Sequence, residues 1–470
     1  MRIARPLLCG LLIFQALAIC CVAADPVIDG PVEHPVEHVV LISIDGLPAS
    51  LLHTPEAKLP AIHNLAREGV IAEGMIVSNP SVTWPNHTTL ITGTRPVDHG
   101  VLFNGVLERK GPGLPVQVNS RTDKSELVLI PTLVDILYAQ GRTVAGINWP
   151  CTRNSSSYLI NFPDSPDMLR HTTPFFIDEM IQAGIVGEDI RKSFNSLNVV
   201  ARDDVWTKAA CLALKNHQPT LTLLHLLNLD SVHHRYGPET PEGYAAMTLA
   251  GSRVQQVLKT LDETGMRPTT AVFIVSDHGF MDIPKTIRAN VVLRKADLLN
   301  VELGRVTAAT VHIVPEGGIA MVYLTRPDTR EADRSKVIEL FTQTEGIKEI
   351  LIPERYLEFG FPQPDEYPQM ADLVLVAKDQ YGFSGDPRGE DVITESKGAL
   401  GAHGFLSNNP RMNAVFVAAG AGIRQGEQLG IFENIQVAPT IAHLLGVDLP
   451  SATGKPLTGI LENSGQPSLK

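Results

Sequence analysis

The chain has 470 residues, 44% hydrophobic and 19% charged, with a formal net charge of −12. That is an ordinary globular composition, for which length alone suggests about three domains. No long basic run offsets the acidic balance, which argues against a mainly electrostatic nucleic-acid binder, because phosphate backbones require clustered Lys and Arg. A small phosphorylated substrate stays compatible, since bound metal ions reverse the local field.

In chain order, the first feature reads as a targeting signal. Arg2 and Arg5 precede an apolar stretch from Leu7 to Ala23, and Val22-Ala23-Ala24 supplies small residues for cleavage before Asp25. The expectation is a signal peptide over 1–24 and an exported protein, periplasmic or extracellular. An uncleaved anchor is the alternative, because the stretch approaches the roughly 17 residues that span a bilayer. A lipidated Cys20 is disfavoured, since Ile19 rather than a small residue precedes it. No later segment is long and apolar enough to span, so no stable membrane span is expected after cleavage. Cys9, Cys20 and Cys21 would leave with the signal. Cys151 and Cys211 then either pair or remain two separate buried thiols.

Residues 25–37, rich in Pro and acid, read as an extended leader. A strand follows at His38–Ile44, then a helix at Ala61–Glu68 and another beginning near Thr83. A helix over Leu133–Gln140 leads to a strand at Thr143–Asn148. The helix Val205–Lys215 precedes a buried strand, Thr220–Leu229, ending at Asp230. The helix Tyr244–Asp262 precedes the strand Thr270–Val275, ending at Ser276-Asp277. This alternation predicts an α/β fold with a mostly parallel central sheet flanked by helices on both faces. Residues 38–284 form the first part of that core. From 285 to 395 short β-like runs (Ala308–Val314, Ile319–Leu324, Asp372–Val376) surround a helical segment, Arg334–Glu345, and suggest a smaller α+β insertion or cap. The core resumes over 396–460 with a strand at Asn413–Ala418 and a helix at Asn434–Leu445. Residues 461–470 read as a loose tail.

Five scattered segments carry the chemistry: Ile44-Asp45-Gly46, Thr83-Trp84-Pro85-Asn86-His87, Asp230-Ser231-Val232-His233-His234, Ser276-Asp277-His278-Gly279 and Gly401-Ala402-His403-Gly404. Polar groups at the C-terminal ends of buried strands face the crevice where open α/β sheets bind ligands. Three carboxylates, three imidazoles and a hydroxyl converging there suit two divalent metals and a nucleophile. Coordination lowers the pKa of a threonine hydroxyl for in-line attack on phosphorus, and a second metal about 3.5–4 Å away stabilises the departing oxygen. Mixed Asp and His ligation suits Zn2+, with manganese or iron as alternatives.

These segments, together with Val437-Ala438-Pro439-Thr440 and Gly454-Lys455-Pro456-Leu457, resemble the alkaline phosphatase superfamily, and within it the nucleotide pyrophosphatase/phosphodiesterase family, from about His38 to Leu457. The resemblance implies an alkaline-phosphatase-like fold and a metal-dependent phosphoric diester hydrolase. It places Asp45, Thr83, Asp277 and His278 around one zinc, and Asp230, His234 and His403 around the other. Thr83 takes the position of the nucleophile, and Asn104 that of the donor to a phosphoryl oxygen. The departure lies at His233, where the family usually has Gly before the second ligand, so His233 becomes a rival to His234.

Other polar residues read more plainly. His87 and His99 suit hydrogen bonding behind the ligands or packing, and His225 suits a satisfied core histidine. Asn86-His87-Thr88 matches a glycosylation sequon inside the catalytic motif, where modification would be disruptive; Asn154-Ser155-Ser156 matches a second. The leading function is an exported two-metal phosphodiesterase/nucleotide pyrophosphatase that works through a phospho-threonine intermediate on a small phosphorylated substrate, a nucleotide or lipid head-group diester. The same machinery could serve a phosphomonoesterase or a phosphonate hydrolase. A monoesterase adds cationic groups, and Arg95 and Arg153 cannot be placed from sequence. A secreted binding protein on a decayed enzyme fold is the non-enzymatic alternative. Sulfatases need a Cys or Ser in a different context, and the phosphoglycerate mutase branch typically uses serine.

Overall fold

A computed structural model describes residues 36–462; the signal peptide expected over 1–24, most of the expected leader and most of the expected tail lie outside the described residues. Eight strands form the central sheet, in the order Glu427–Glu433, Val70–Ile76, Phe416–Gly420, Thr270–Val275, His38–Ile44, Leu221–Leu226, Val144–Pro150 and Ile160–Asp164. Phe416–Gly420 runs antiparallel to both its neighbours, and every other adjacent pair is parallel. The strand runs HVVLISI and TAVFIV are buried almost throughout because helices cover both faces of the sheet centre, which removes the usual alternation. Apolar clusters lie on both faces: Leu41, Leu223 and Phe273 belong to one, Ile42, Leu224 and Ile274 to the other.

Several expected boundaries shift. The strand expected over Thr220–Leu229 ends at Leu226, and a helix over Asn228–Tyr236 carries Asp230 in its first turn. Asp203 causes the break: its carboxylate accepts from the backbone N–H of Leu227 at 2.9 Å and of Asn228 at 3.1 Å, capping the new helix. The expected strand Ala308–Val314 divides into Arg305–Ala309 and Val311–Pro315. The expected helix Asn434–Leu445 opens with a 3₁₀ turn, Asn434–Gln436, before Val437–Leu444.

Residues 285–395 hold a four-stranded antiparallel sheet in the order Val311–Pro315, Ile319–Leu324, Leu373–Ala377, Ile347–Leu351, with the helix Arg330–Thr342. A smaller sheet joins Tyr381–Ser384, Lys285–Arg288 and Ile393–Glu395. This region grips the loop carrying Asn104. Tyr367 donates its hydroxyl to the Gly100 carbonyl, the Gln369 side-chain oxygen accepts from Leu107 N–H at 3.1 Å, and Arg109 pairs with the buried Asp372 at 3.0 Å. Cys151 and Cys211 are both free thiols. No helix among the described residues is long and apolar enough to cross a membrane.

Candidate metal centre and nucleophile

Asp45 follows the strand His38–Ile44, and Asp277 and His278 follow Thr270–Val275, so adjacent parallel strands deliver three ligand candidates side by side. Gly46 makes the turn possible: it adopts φ +67°, and a Cβ there would meet the Phe280 ring at 3.0 Å. Its N–H donates to Asp277 Oδ1 at 3.1 Å, and Leu47 N–H to Ser276 Oγ at 2.9 Å, locking the two strand ends together. His278 Nε2 lies 3.3 Å from both Asp45 Oδ1 and Asp277 Oδ2.

The helix Asn228–Tyr236 supplies Asp230 and, one turn later on the same face, His234. His234 Nε2 lies 3.4 Å from Asp230 Oδ1, and His403 Nε2 lies 3.7 Å from the same oxygen. Asp230 also belongs with Asp45 and His278 in a second convergent group, so the two sets of ligand atoms are contiguous. His233 Nδ1 instead meets the Gly46 carbonyl at 3.1 Å, and its Nε2 faces Gly243 of the following helix. The geometry therefore separates the two neighbours: His234 faces the cluster and His233 braces the Asp45 turn.

Three candidate-ligand imidazoles share one arrangement. Nδ1 of His234 meets the Gly401 carbonyl, that of His278 the Gly279 carbonyl and that of His403 the Ser81 carbonyl, at 3.1, 3.1 and 2.9 Å. Engaging Nδ1 leaves Nε2 as the free lone pair, which is how metal-binding histidines are oriented. Gly404 holds the last loop in place, with φ +78° and the Glu316 carbonyl 1.6 Å from where a Cβ would sit.

The donor set fits divalent metal. Asp45 Oδ1, Asp230 Oδ1, Asp277 Oδ2 and His278 Nε2 are buried and make no hydrogen bond. Ligand atoms about 2.0–2.1 Å from a tetrahedral ion sit about 3.3 Å apart, the separation seen around His278. Burial, then Asp277 and Asp230, raises Asp45 well above the usual carboxylate range, and burial raises Asp230. Burial also pushes His278 down to about 3 and His403 well below its ordinary value. A dication would offset the cost of the buried carboxylates, and burial already keeps the imidazoles in the neutral form that such an ion needs.

Thr83 opens the helix Thr83–Thr92 and is nearly buried. Ser81, two residues before it, accepts from Gly404 N–H at 3.0 Å through the same carbonyl that meets His403 Nδ1. The Thr83 carbonyl meets His87 Nδ1 at 2.9 Å, and that nitrogen lies 3.5 Å from Asp277 Oδ2. Asn86 organises the approach, accepting from Ser78 N–H and donating to the carbonyls of Ser78, Pro80 and Val82. Asn86 is fully buried and so committed, which closes the first sequon to glycosylation. Asn104 Oδ1 accepts from Trp84 N–H at 2.9 Å. Trp84 packs against Val101, Leu127, Val128 and Cys151, and its indole N–H donates to Asp164 at 3.1 Å.

The structure thus brings Asp45, Asp277, His278, Asp230, His234 and His403 together, ties the Thr83 carbonyl to Asp277 through His87, and holds the Asn104 side chain on the Trp84 N–H. Sequence reasoning missed Phe280, whose ring packs on His234, His278 and His403 with centroids 4.8, 6.0 and 5.4 Å apart. Its place two residues after His278 was the available signal. Asp164 carried no signal at all.

A family profile described as type I phosphodiesterase/nucleotide pyrophosphatase matches residues 39–406. The chain belongs to that family. Mouse ectonucleotide pyrophosphatase/phosphodiesterase family member 1 is 23% identical over 425 residues, covering 89% of this chain but 42% of the mouse protein. The chain therefore spans about two-fifths of that relative's length. Bovine bis(5'-adenosyl)-triphosphatase ENPP4 is 23% identical over 420 residues, covering 87% of this chain and 78% of the bovine protein. Among solved structures, murine ectonucleotide pyrophosphatase/phosphodiesterase 5, inactive (T72A) and in complex with AMP, superimposes with a TM-score of 0.66 at 16% identity. It covers 91% of this chain and 100% of that one. The likeness establishes the phosphodiesterase fold, with its mostly parallel eight-stranded sheet, and the family agrees with the expected class of metal-dependent phosphoric diester hydrolase.

Proposed function

We propose that this family member is an exported phosphodiesterase/nucleotide pyrophosphatase that cleaves phosphodiester or phosphoanhydride bonds through a phospho-threonine intermediate. The observation that supports the reading is the convergence of two contiguous sets of metal-ligand atoms, to which the helix opened by Thr83 is tied through His87 and Asp277. Asp45, Thr83, Asp277 and His278 would hold one ion, and Asp230, His234 and His403 the other, with Zn2+ suited to both. When bound, such ions stabilise charge on phosphoryl oxygens and lower the pKa of a hydroxyl nucleophile.

The chain's own groups supply the rest. Thr83 Oγ, having given up its proton, attacks phosphorus in line, and the departing group leaves with the bonding pair and takes up a proton. Water then attacks the same phosphorus, Thr83 Oγ leaves with the bonding pair and regains a proton, and the phosphate monoester is released. The N-terminal turn of the Thr83 helix offers few donors to an anion, since Trp84 N–H is taken by Asn104 and Pro85 has none. The Asn104 amide group makes up for this shortage. With its oxygen held by Trp84, its N–H₂ is free to donate to a phosphoryl oxygen.

A diester is favoured over a monoester because the two arginines considered for extra charge are already paired. Arg153 lies with Asp123 and Asp167, and Arg95 with Glu433 at 2.7 Å. The AMP complex of the murine relative supports a nucleotide-type substrate, with lipid head-group diesters as the other candidates. Export rests on the sequence of residues 1–24.

The test compares kcat/KM for bis-p-nitrophenyl phosphate and p-nitrophenyl phosphate in the zinc-reconstituted protein, with Thr83→Ala alongside. A diester preference abolished by the substitution is expected. A monoester preference would reassign the substrate class, and undiminished turnover in Thr83→Ala would remove the intermediate.

A further inference from the structure

The parallel register sets Ser43 opposite His225, so His225 sits beside the strand end that carries Asp45. Its ring is fully buried, and Nε2 lies 2.9 Å from Asp45 Oδ2. The other carboxylate oxygen, Oδ1, is the one that makes no hydrogen bond and faces His278 Nε2. Asp45 is thereby split into a held oxygen and a free one.

Behind His225 stands Asn148, also fully buried. It lies at a bulge in the strand Val144–Pro150 and adopts φ +55°, a left-handed conformation that Asn tolerates better than most residues. This conformation turns both its carbonyl and its amide toward one ring: the Asn148 carbonyl lies 3.0 Å, and Nδ2 3.3 Å, from His225 Nδ1. Nδ2 also donates to the His225 carbonyl at 3.2 Å, which fixes the amide orientation, because a flipped amide would set oxygen against oxygen.

We infer that Asn148 and His225 are positioning residues that select the Oδ1 atom of Asp45 as the metal ligand. In the Nε2–H tautomer, Nε2–H donates to Asp45 Oδ2 and Nδ1 accepts from the Asn148 amide, whose N–H offsets the Asn148 carbonyl 3.0 Å away. The Nδ1–H tautomer would donate to that carbonyl instead and set the Nε2 lone pair against an ionised Asp45. Hydrogen bonds of this kind to a ligating carboxylate orient it, and their loss typically costs 10–100-fold in metal affinity. Backbone strain at a non-glycine residue is retained where the surroundings enforce it, and here it aims Asn148 at His225.

The inference rests on the metal-site reading above, and the experiment separates the two. Zinc affinity and stoichiometry are measured by competition with a chromogenic chelator for the wild type, His225→Leu, His225→Gln and Asn148→Gly. Glycine suits the left-handed backbone and removes only the side chain. The expected result is a roughly 10–100-fold weaker zinc site in His225→Leu, substantial recovery in His225→Gln through its amide donor, and an intermediate loss in Asn148→Gly. Turnover of bis-p-nitrophenyl phosphate at saturating zinc should fall in kcat with KM little changed. Should His225→Leu fail to fold, Asn148→Gly decides alone. Wild-type zinc affinity in folded His225→Leu or Asn148→Gly overturns the positioning role while leaving the metal site standing. A wild-type protein that binds no zinc overturns both.

Discussion

The side-chain oxygen of Asn104 accepts a hydrogen bond from the backbone N–H of Trp84 at 2.9 Å, coupling the proposed phosphoryl donor to the residue after the proposed nucleophile. Asn104→Ala should therefore lose the donor and also leave the Trp84 N–H without its acceptor. A fall in kcat of about 10²–10³-fold is expected, as for removal of one oxyanion donor elsewhere. Steady-state kinetics on a diester checks it, and a loss under about tenfold would argue against Asn104 as the donor.

His233 and His234 are adjacent, yet only His234 Nε2 reaches Asp230. Metal analysis should find that His234→Ala, Asp230→Ala and His403→Ala each lose one ion per chain. His233→Ala should retain its metal and lose stability instead, because its ring braces the Gly46 carbonyl. Equal depletion in His233→Ala would reverse the assignment.

The Asn104 loop leans on the 285–395 region through Tyr367, Gln369 and Asp372. Tyr367→Phe removes two neutral hydrogen bonds, the one donated to Gly100 and the one accepted from Gln369 Nε2 at 3.3 Å, each worth about 1 kcal/mol in net stability. Diester turnover should fall several-fold while zinc content stays constant. Unchanged turnover would mean that the loop holds Asn104 without this support.

His99 is buried away from the ligand cluster, with Nδ1 accepting from Val101 N–H at 3.2 Å and Nε2 meeting Thr89 Oγ1 at 3.1 Å. Burial lowers its pKa from 6.5 to about 3. Between those values the unfolded chain binds the proton and the folded one does not, so stability rises with pH and is lost on acidification. The slope is about 1.4 kcal/mol per pH unit. Urea titrations from about pH 4.5 to 6.5 should show a shallower dependence in His99→Gln than in the wild type. Parallel slopes would place the acid sensitivity in other buried histidines.

The central strands were legible because burial on both faces writes a continuous apolar run, as in HVVLISI and TAVFIV. Val70–Ile76 was not: VIAEGMI carries a Glu, a Gly and two partly exposed positions. Nor was the end of Leu221–Leu226, because the residue that turns the chain there, Asp203, comes from another helix. The ligand candidates could be named early because metal chemistry restricts residue type and spacing. His225 read as a satisfied core histidine, and it is buried and hydrogen-bonded. Its partners, Asn148 and Asp45, are distant in the chain, so nothing local disclosed that one of them is a ligand candidate.

The reversed strand Phe416–Gly420 has a consequence for the order of assembly. Val70–Ile76 pairs in the central sheet only with Phe416–Gly420 and Glu427–Glu433, both near the far end of the chain. A nascent chain emerging N-terminus first can complete the sheet from Thr270–Val275 to Ile160–Asp164 before either strand that flanks Val70–Ile76 has been made, while the Thr83 helix already has Val144–Pro150 to pack on through His87 and Trp149. His403 arrives just as late. A prematurely terminated chain therefore carries Asp45, Asp230 and Asp277 without His403 and without the sheet edge that holds Val70–Ile76.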